Sequence, residues 1–254
     1  MENDENKIFD ILDDNHEYVR NLGHTPVMTV LVGSQNYGLA TEKSDYDTYT
    51  FVLPTLQDIA TLREPLSKTY IGINGHINVK DIRLALNLLK KTSPNSVEWF
   101  ATKHKLIACR YQTMLSNLPP SILRCNTANM MNAIGGMAHQ LSKRNMSAGK
   151  RFSHMLRMKC MIDNYFNPGS DMLSMTEDLR CLALRAKQDP DNPLWDEQLL
   201  EWEVYIHKTL ETVDLHRFDE SSAEAIALIE NLQKEFTRRA ACERGVIHAK
   251  AIDP

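Results

Sequence analysis

A polar loop between two short apolar segments constrains this chain more than any other feature. The first segment, residues 27–32, is rich in β-branched residues and stops at Gly33-Ser34. The second, residues 46–53, is ended by a proline, which cannot continue a central strand. Both segments are too short for a helix and have the composition of strands. The chain therefore predicts two strands joined by a loop that contains glycine and acidic residues.

Each fixed residue of this loop has a physical task. Gly33 lacks a Cβ, so that backbone N–H groups and the hydroxyl of Ser34 can approach a phosphate closely. Asp45 and Asp47 are separated by one residue, and the two-residue period of a strand places both carboxylates on one face. Such a pair attracts a divalent cation that also takes phosphate oxygens as ligands. The loop thus predicts a site for a metal-bound triphosphate, with Mg²⁺ or Mn²⁺ as the cofactor.

Other loops that combine glycine with acidic residues fit this segment less well. A calcium loop that starts at Asp45 needs glycine at its sixth position and an acid at its twelfth, where Thr50 and Leu56 stand. The G-K-[ST] of a Walker A loop and the G-x-G-x-x-G fingerprint of dinucleotide-binding folds are absent here. Any one of these residues alone is compatible with an ordinary turn, but the complete set is far more typical of a phosphate site.

The neighbouring segments indicate an α+β fold. Apolar residues at helical spacing in residues 1–22 predict an amphipathic helix. Asn74-Gly75 lies between two extended segments, 69–73 and 76–80, and predicts a β-hairpin. Asp81 is suited to cap the apolar helix that follows.

Beyond residue 97 the strand signals vanish and helical periodicity continues to the C-terminus. We therefore expect a small mixed β-sheet core over residues 1–118 and a helical domain over residues 119–254. No apolar run of about 18 residues is present, which argues against a membrane partner. An acidic N-terminus unlike a signal peptide and five scattered cysteines without a C-x-x-C pair make a cytoplasmic location the expectation.

Charge is distributed unevenly along the chain. The formal net charge is -4, yet residues 100–162 contain no Asp or Glu. The cations of that segment are Lys103, Lys105, Arg110, Arg124, Lys143, Arg144, Lys150, Arg151, Arg157 and Lys159. Such a segment indicates an anionic partner, either a triphosphate or a nucleic acid backbone. Solvated helix surfaces are the alternative, although they leave the missing acids unexplained.

Within this segment, Lys150, His154 and Arg157 follow one another at spacings of four and three. These spacings place the three side chains on one face of a helix. We expect them to contact the phosphates of a nucleotide. A solvent-exposed helix face is again the alternative interpretation.

The pattern G-S-x-x-x-G-x-x-x-x-x-S-D-x-D, which ends at Asp47, resembles the signature of DNA polymerase β-like nucleotidyltransferases. More narrowly, the KDIRLALNLLKK segment, the stretch 93–98 and a K-x-x-x-H-x-x-R pattern resemble nucleotidyltransferases of bacteria and phages. Some of those are associated with RNA repair. The resemblance covers roughly residues 27–166.

This resemblance implies nucleotide contacts at Gly33, Ser34 and Ser44, and metal ligands at Asp45 and Asp47. It also implies a third catalytic carboxylate on a later strand. In this chain the polar face of residues 76–80 carries no acid; its side chains are His76, Asn78 and Lys80. The nearest carboxylate is Asp81, which has the opposite parity and a competing role as a helix cap. Either Asp81 is the third catalytic residue, or His76 or Asn78 replaces it as a weaker metal ligand.

The resemblance implies transfer of a nucleoside monophosphate from an NTP to an acceptor hydroxyl. An RNA end is the first expectation for that acceptor, and a protein side chain or a small molecule remains open. A second hypothesis is a nucleotide-binding or antitoxin-like module that has lost catalysis together with its third acid. A third is a nucleic-acid-binding protein that uses only the basic segment.

Overall fold

The structure is a computed structural model that describes residues 2–141, 143–167, 169–213 and 220–250. Within these ranges it contains ten α-helices and five strands, which confirms the predicted α+β class. In chain order they are α1 (Glu2–Asn21), β1 (Pro26–Leu31), β2 (Thr48–Val52), α2 (Leu56–Ala60), β3 (Ser67–Ile71), β4 (His76–Asp81), α3 (Ile82–Lys90), α4 (Pro94–Ala101), β5 (Lys105–Ile107), α5 (Gln112–Leu115), α6 (Thr127–Leu141), α7 (Ala148–Tyr165), α8 (Glu177–Gln188), α9 (Leu194–Thr212) and α10 (Glu220–Lys250).

The five strands form one mixed sheet in the order β3-β4-β2-β1-β5. Strands β2 and β4 are parallel, with Thr48 opposite Ile77, and the other neighbouring pairs are antiparallel. Parallel strands start at the same edge of a sheet. The residues just before β2 therefore lie beside the first residue of β4, so that Asp47 and His76 become neighbours.

Strand β2 divides its side chains between two faces. Thr48 and Thr50 point towards α1, where Asn15 donates a hydrogen bond of 3.0 Å to the hydroxyl of Thr48. Tyr49 and Phe51 pack on the other face, against aromatic residues of α4, with ring centroids of Phe51 and Trp99 5.3 Å apart. This alternation is what a strand buried on both faces requires, and it gives Asp47 the same orientation as Tyr49.

The predicted hairpin is confirmed, and its turn also shapes the neighbouring loop. Gly75 has a φ of +153°, and a Cβ at this position would lie 2.9 Å from the backbone of Tyr46. The backbone N–H of Tyr46 donates to the carbonyl of Asn74 over 2.8 Å. The turn therefore packs directly on the loop between Asp45 and Asp47, and a larger residue at position 75 would push the two apart.

One strand was not predicted from the sequence. Strand β5 forms the sheet edge beside β1, with Leu106 opposite Thr29, in a region where only helices were expected. At three residues it is too short to produce a periodic signal, and it is defined by its pairing with β1.

The apolar cores do not divide at the predicted boundary between residues 118 and 119. Leu39 and Val97 belong to the same core as helices α6 to α9. Conversely, Phe236 of α10 packs against Tyr111 with the ring centroids 5.6 Å apart, in the core that includes β1 and α3. Across the described residues, no helix combines the length and apolar character needed to cross a membrane.

Candidate nucleotide site

A cavity of about 470 Å³ lies between the start of β2 and the N-terminal half of α7. Its size falls within the range of about 300–1,000 Å³ that is typical of small-molecule sites. It brings the predicted residues Gly33, Ser34, Ser44, Asp45, Asp47, Lys150, His154 and Arg157 around one space. The remaining lining residues are Val32, Leu39, Thr41, Lys43, Met146, Ser147, Ser153, Lys187 and Pro190.

The carboxylate of Glu98 fixes the Gly33 loop through hydrogen bonds. Gly33 has a φ of +87°, which favours glycine, and its N–H donates to Oε1 of Glu98 over 2.7 Å. The amide of Asn36 donates to the same oxygen over 3.1 Å and accepts from the hydroxyl of Thr102. The N–H of Gly33 is thus engaged by Glu98, whereas the hydroxyl of Ser34 faces the cavity without a hydrogen bond to any described residue.

Asp45 and Asp47 lie where β1, β2 and β4 meet. Oδ1 of Asp47 accepts a hydrogen bond from the backbone N–H of His76 over 2.9 Å. The backbone carbonyl of Asp47 accepts one from the N–H of Val32 over 3.0 Å. These bonds fix the orientation of Asp47 and leave its second carboxylate oxygen without a donor among the described residues. The carboxylate of Asp45 likewise has no partner there. Both acids therefore keep oxygen atoms available for a cation.

The two alternative metal ligands differ in position. Nδ1 of His76 lies 3.0 Å from Oδ1 of Asp47, so this side chain stands next to the acid pair, outside the cavity lining. The amide nitrogen of Asn78 donates to the carbonyl of Thr48 over 3.1 Å, and its oxygen accepts from Thr69 over 2.8 Å. Since both polar ends of Asn78 are used within the sheet, the structure favours His76 over Asn78.

The position of Asp81 argues against the predicted catalytic role. Asp81 ends β4, five residues beyond His76 and thus roughly 16 Å further along the strand at about 3.3 Å per residue. It is only 2% exposed, caps α3 through the N–H of Arg83 over 2.8 Å, and pairs with that guanidinium over 2.6 Å. Its carboxylate is therefore committed to the start of α3 and does not reach the acid pair.

The three side chains predicted on one helix face, Lys150, His154 and Arg157, do line the cavity together. A guanidinium nitrogen of Arg157 lies 2.9 Å from Nδ1 of His154, and the same guanidinium lies over the ring of Tyr37. Because arginine only donates, His154 accepts at Nδ1 and carries its proton on Nε2. Burial, followed by the charges of Arg157 and Lys150, lowers the pKa of His154 well below its usual 6.5. His154 is therefore neutral at pH 7.

The start of α7 adds a further feature that favours anions. Ser147 is the N-cap residue, but its side chain makes no capping hydrogen bond, and the first turn contains no acid. Both Ser147 and Lys150 line the cavity. The positive end of the helix dipole thus faces the same space as the cations.

The model of the RNA repair pathway DNA polymerase beta family, RlaP, matches residues 10–161, which is more than half of the chain. The chain belongs to this family. Membership in RlaP confirms the resemblance to DNA polymerase β-like nucleotidyltransferases and the association with RNA repair. A comparison with curated proteins gives no match. The RlaP match includes every predicted site residue from Gly33 to Arg157.

One residue of the cavity lies beyond the RlaP match and was missed by the sequence analysis. Lys187 of α8 donates to the carbonyl of Leu39 over 2.5 Å and lies 3.4 Å from the hydroxyl of Ser44. Burial, with the charges of Arg157 and Lys150, lowers the pKa of Lys187. No sequence signal marks it, because Lys187 is one of several cations in a helix whose position depends on tertiary packing.

Among the side chains that the structure describes, no three His, Cys, Asp or Glu residues are arranged to hold a metal ion. Asp45 and Asp47 still form an oxygen pair of the kind that Mg²⁺ binds when phosphate oxygens complete its coordination. The arrangement is therefore suited to a cation that arrives together with a triphosphate, rather than to a metal held by protein ligands alone.

Proposed function

We propose that this RlaP member transfers a nucleoside monophosphate from an NTP to an acceptor hydroxyl, with Mg²⁺ or Mn²⁺ held by Asp45 and Asp47. The observation that carries this proposal is that two carboxylates, each with at least one oxygen that accepts no hydrogen bond from a described residue, line the same cavity as a set of cations. A metal–triphosphate complex has matching chemistry, since the metal satisfies the acids and the phosphates satisfy the cations.

The cation side of the cavity has a defined task in this proposal. Lys150 and Arg157 neutralise the triphosphate, and the α7 N-terminus adds a fixed positive dipole. A cation on Asp45 and Asp47 would supply charge neutralisation at the α-phosphate. The acceptor oxygen forms a bond to the α-phosphorus, and the bond from that phosphorus to the bridging oxygen breaks. The products are the nucleotidylated acceptor, pyrophosphate and a proton.

His76 is the residue we propose at the position of the missing third acid. It starts β4, the strand next to β2, and its ring already lies beside Asp47. Imidazole nitrogen is a weaker ligand than a carboxylate for Mg²⁺, a hard cation that prefers oxygen, and the softer Mn²⁺ tolerates a nitrogen ligand better. We therefore expect a higher rate of transfer with Mn²⁺ than with Mg²⁺.

An RNA end is the acceptor that we propose. The family is described as an RNA repair family, and several cations line the cavity. Lys43 and Lys150 are exposed residues of its lining, and exposed Arg144 lies close enough to lower the pKa of His154. A polynucleotide brought to such a rim gains affinity from its phosphates.

A second candidate function, a nucleotide-binding module without catalysis, is favoured by one specific observation. The face of β4 beside Asp47 offers His76, Asn78 and Lys80 but no acid, and Asp81, at the far end of β4, pairs with Arg83. If His76 does not substitute for the third acid, the cavity would bind a metal–nucleotide complex and release it unchanged.

The two functions separate in a single experiment on the wild type and three variants. Asp45→Asn and Asp47→Asn should each lower pyrophosphate release from NTP and RNA by at least about 100-fold, because the metal loses a charged ligand. Asp14→Asn, an exposed acid of α1, is the matched control and should retain the wild-type rate. If the wild type binds NTP in a metal-dependent way but releases no pyrophosphate, the protein is a nucleotide-binding module and not an enzyme.

A further inference from the structure

Lys187 reaches the cavity from a part of the chain outside the family match. The match ends at residue 161, whereas α8 spans Glu177–Gln188. The ammonium group of Lys187 bridges towards the opposite wall, where it contacts the carbonyl of Leu39 and approaches Ser44. Lys187 therefore lies between the Gly33 loop and the cations of α7, Lys150 and Arg157.

The packing of α8 fixes this position. A Cβ on Gly149 of α7 would lie 1.9 Å from the carbonyl oxygen of Ala186, so the two backbones are in direct contact. The N–H of Gly149 also donates to the carbonyl of Pro190 over 2.8 Å. At the other end of α8, Arg180 packs over Gly38, where a Cβ would lie 3.3 Å from its side chain. The position of Lys187 is therefore fixed by the packing of α8 against α7 and against Gly38.

The side of the cavity that α7 and α8 form carries positive charges that favour the binding of an anion. The charges of Arg157 and Lys150 lower the pKa of both Lys187 and His154, and no acid is among the groups that shift either pKa. Repulsion between half-buried Arg157 and Lys187, with exposed Lys150 beside them, costs free energy that a multiply charged anion would recover. Lys187 therefore adds a cation to Lys150 and Arg157, which were predicted from the sequence, and all three line the same cavity.

We propose that Lys187 binds the terminal phosphates of the nucleotide and, after transfer, the pyrophosphate product. This inference rests on the proposed function only in taking the cavity as a triphosphate site. It assigns to α8 a direct contact with substrate, so that the site is complete only when the chain beyond residue 161 is folded. On binding, the ammonium group exchanges the carbonyl of Leu39 for phosphate oxygens, which are stronger acceptors.

The test uses the full-length protein and inorganic tripolyphosphate as the probe, with AMP as a comparison ligand. Lys187→Met should weaken tripolyphosphate binding at least about tenfold, since a charge-assisted hydrogen bond is lost, and leave AMP binding unchanged. Arg185→Met is the matched control, because Arg185 is an exposed cation two residues away on the same helix and does not line the cavity. It should bind both ligands like the wild type.

A purely structural role for Lys187 predicts a different result. In that case Lys187→Met would weaken AMP and tripolyphosphate equally or leave both unchanged, and either outcome overturns the inference. If Lys187→Met does not fold, Lys187→Arg and Lys187→Gln decide the matter: arginine should retain tripolyphosphate binding, and glutamine should lose it. A wild type that binds tripolyphosphate through Lys187 but releases no pyrophosphate from NTP contradicts the proposed function alone.

Discussion

At the scale of single residues, the Gly33 loop owes its shape to a side chain from another element. Glu98 of α4 accepts both the N–H of Gly33 and the amide of Asn36. The structure shows that position 33 has a positive φ, which favours glycine, whereas the sequence could not show what the N–H of Gly33 binds. A phosphate contact from this loop must therefore come from Ser34, while Glu98 acts as a positioning residue.

His154 makes the stability of the protein depend on pH. Because its folded pKa lies below the usual 6.5, the unfolded chain binds a proton more readily. Stability is therefore complete above about pH 6.5 and falls as the pH drops towards the folded pKa, by at most about 1.4 kcal/mol per pH unit. His154→Asn removes this titration while keeping an acceptor for Arg157. Its free energy of unfolding should fall less steeply between pH 6.5 and 5 than that of the wild type.

Buried His16 provides the comparison for this prediction. Its pKa is also lowered by burial, but it lies beneath the sheet next to Thr29. His154→Asn and the wild type should thus both retain the acid sensitivity that His16 contributes. The free energy of unfolding is measured by urea denaturation at each pH. If it falls equally steeply with falling pH in both proteins, His154 does not titrate as proposed.

At the scale of elements, two glycines in neighbouring helices should respond oppositely to alanine. A Cβ at position 149 would overlap the carbonyl of Ala186, so Gly149→Ala forces α7 and α8 apart and should cost about 2–3 kcal/mol. Gly136 in α6 is exposed with no atom within 4 Å of its Cβ position. Gly136→Ala should therefore stabilise the helix by about 0.5–1 kcal/mol.

Chemical denaturation measures both changes, and tripolyphosphate binding reports on the site. Gly149→Ala should also weaken tripolyphosphate binding, because it moves Lys187, whereas Gly136→Ala should not affect it. A neutral effect of Gly149→Ala on both stability and binding would mean that the contact between α7 and α8 is not what holds the cavity together.

The elements that local sequence could predict are those with local causes. The helix α1, the strands β1 and β2, and the hairpin at Asn74-Gly75 follow from periodicity and turn chemistry, and the structure confirms them. Strand β5 was missed because pairing with β1 defines it. Likewise, spacing along α7 grouped Lys150, His154 and Arg157, but nothing local connects them with Lys187 of α8.

At the scale of the whole molecule, the nucleotide cavity is a product of parts that the sequence assigned to separate domains. The Gly33 loop and the acid pair come from the sheet, and the cations come from α7 and α8. The apolar cores follow the same rule, since α10 packs with Tyr111 and α6 to α9 pack with Tyr37. The boundary at residues 118 and 119 stays a prediction, and the site spans it.

We propose that the cavity supports transfer of the α-phosphorus of an NTP to an RNA end. The most direct measurement compares reactions that contain NTP labelled at the α- or the γ-phosphorus, with RNA and Mn²⁺ or Mg²⁺. We expect the α-label to move to RNA, the γ-label to leave as pyrophosphate, and removal of the metal to stop both. Transfer of the γ-label to RNA, or no transfer of the α-label from any of the four NTPs, would contradict it.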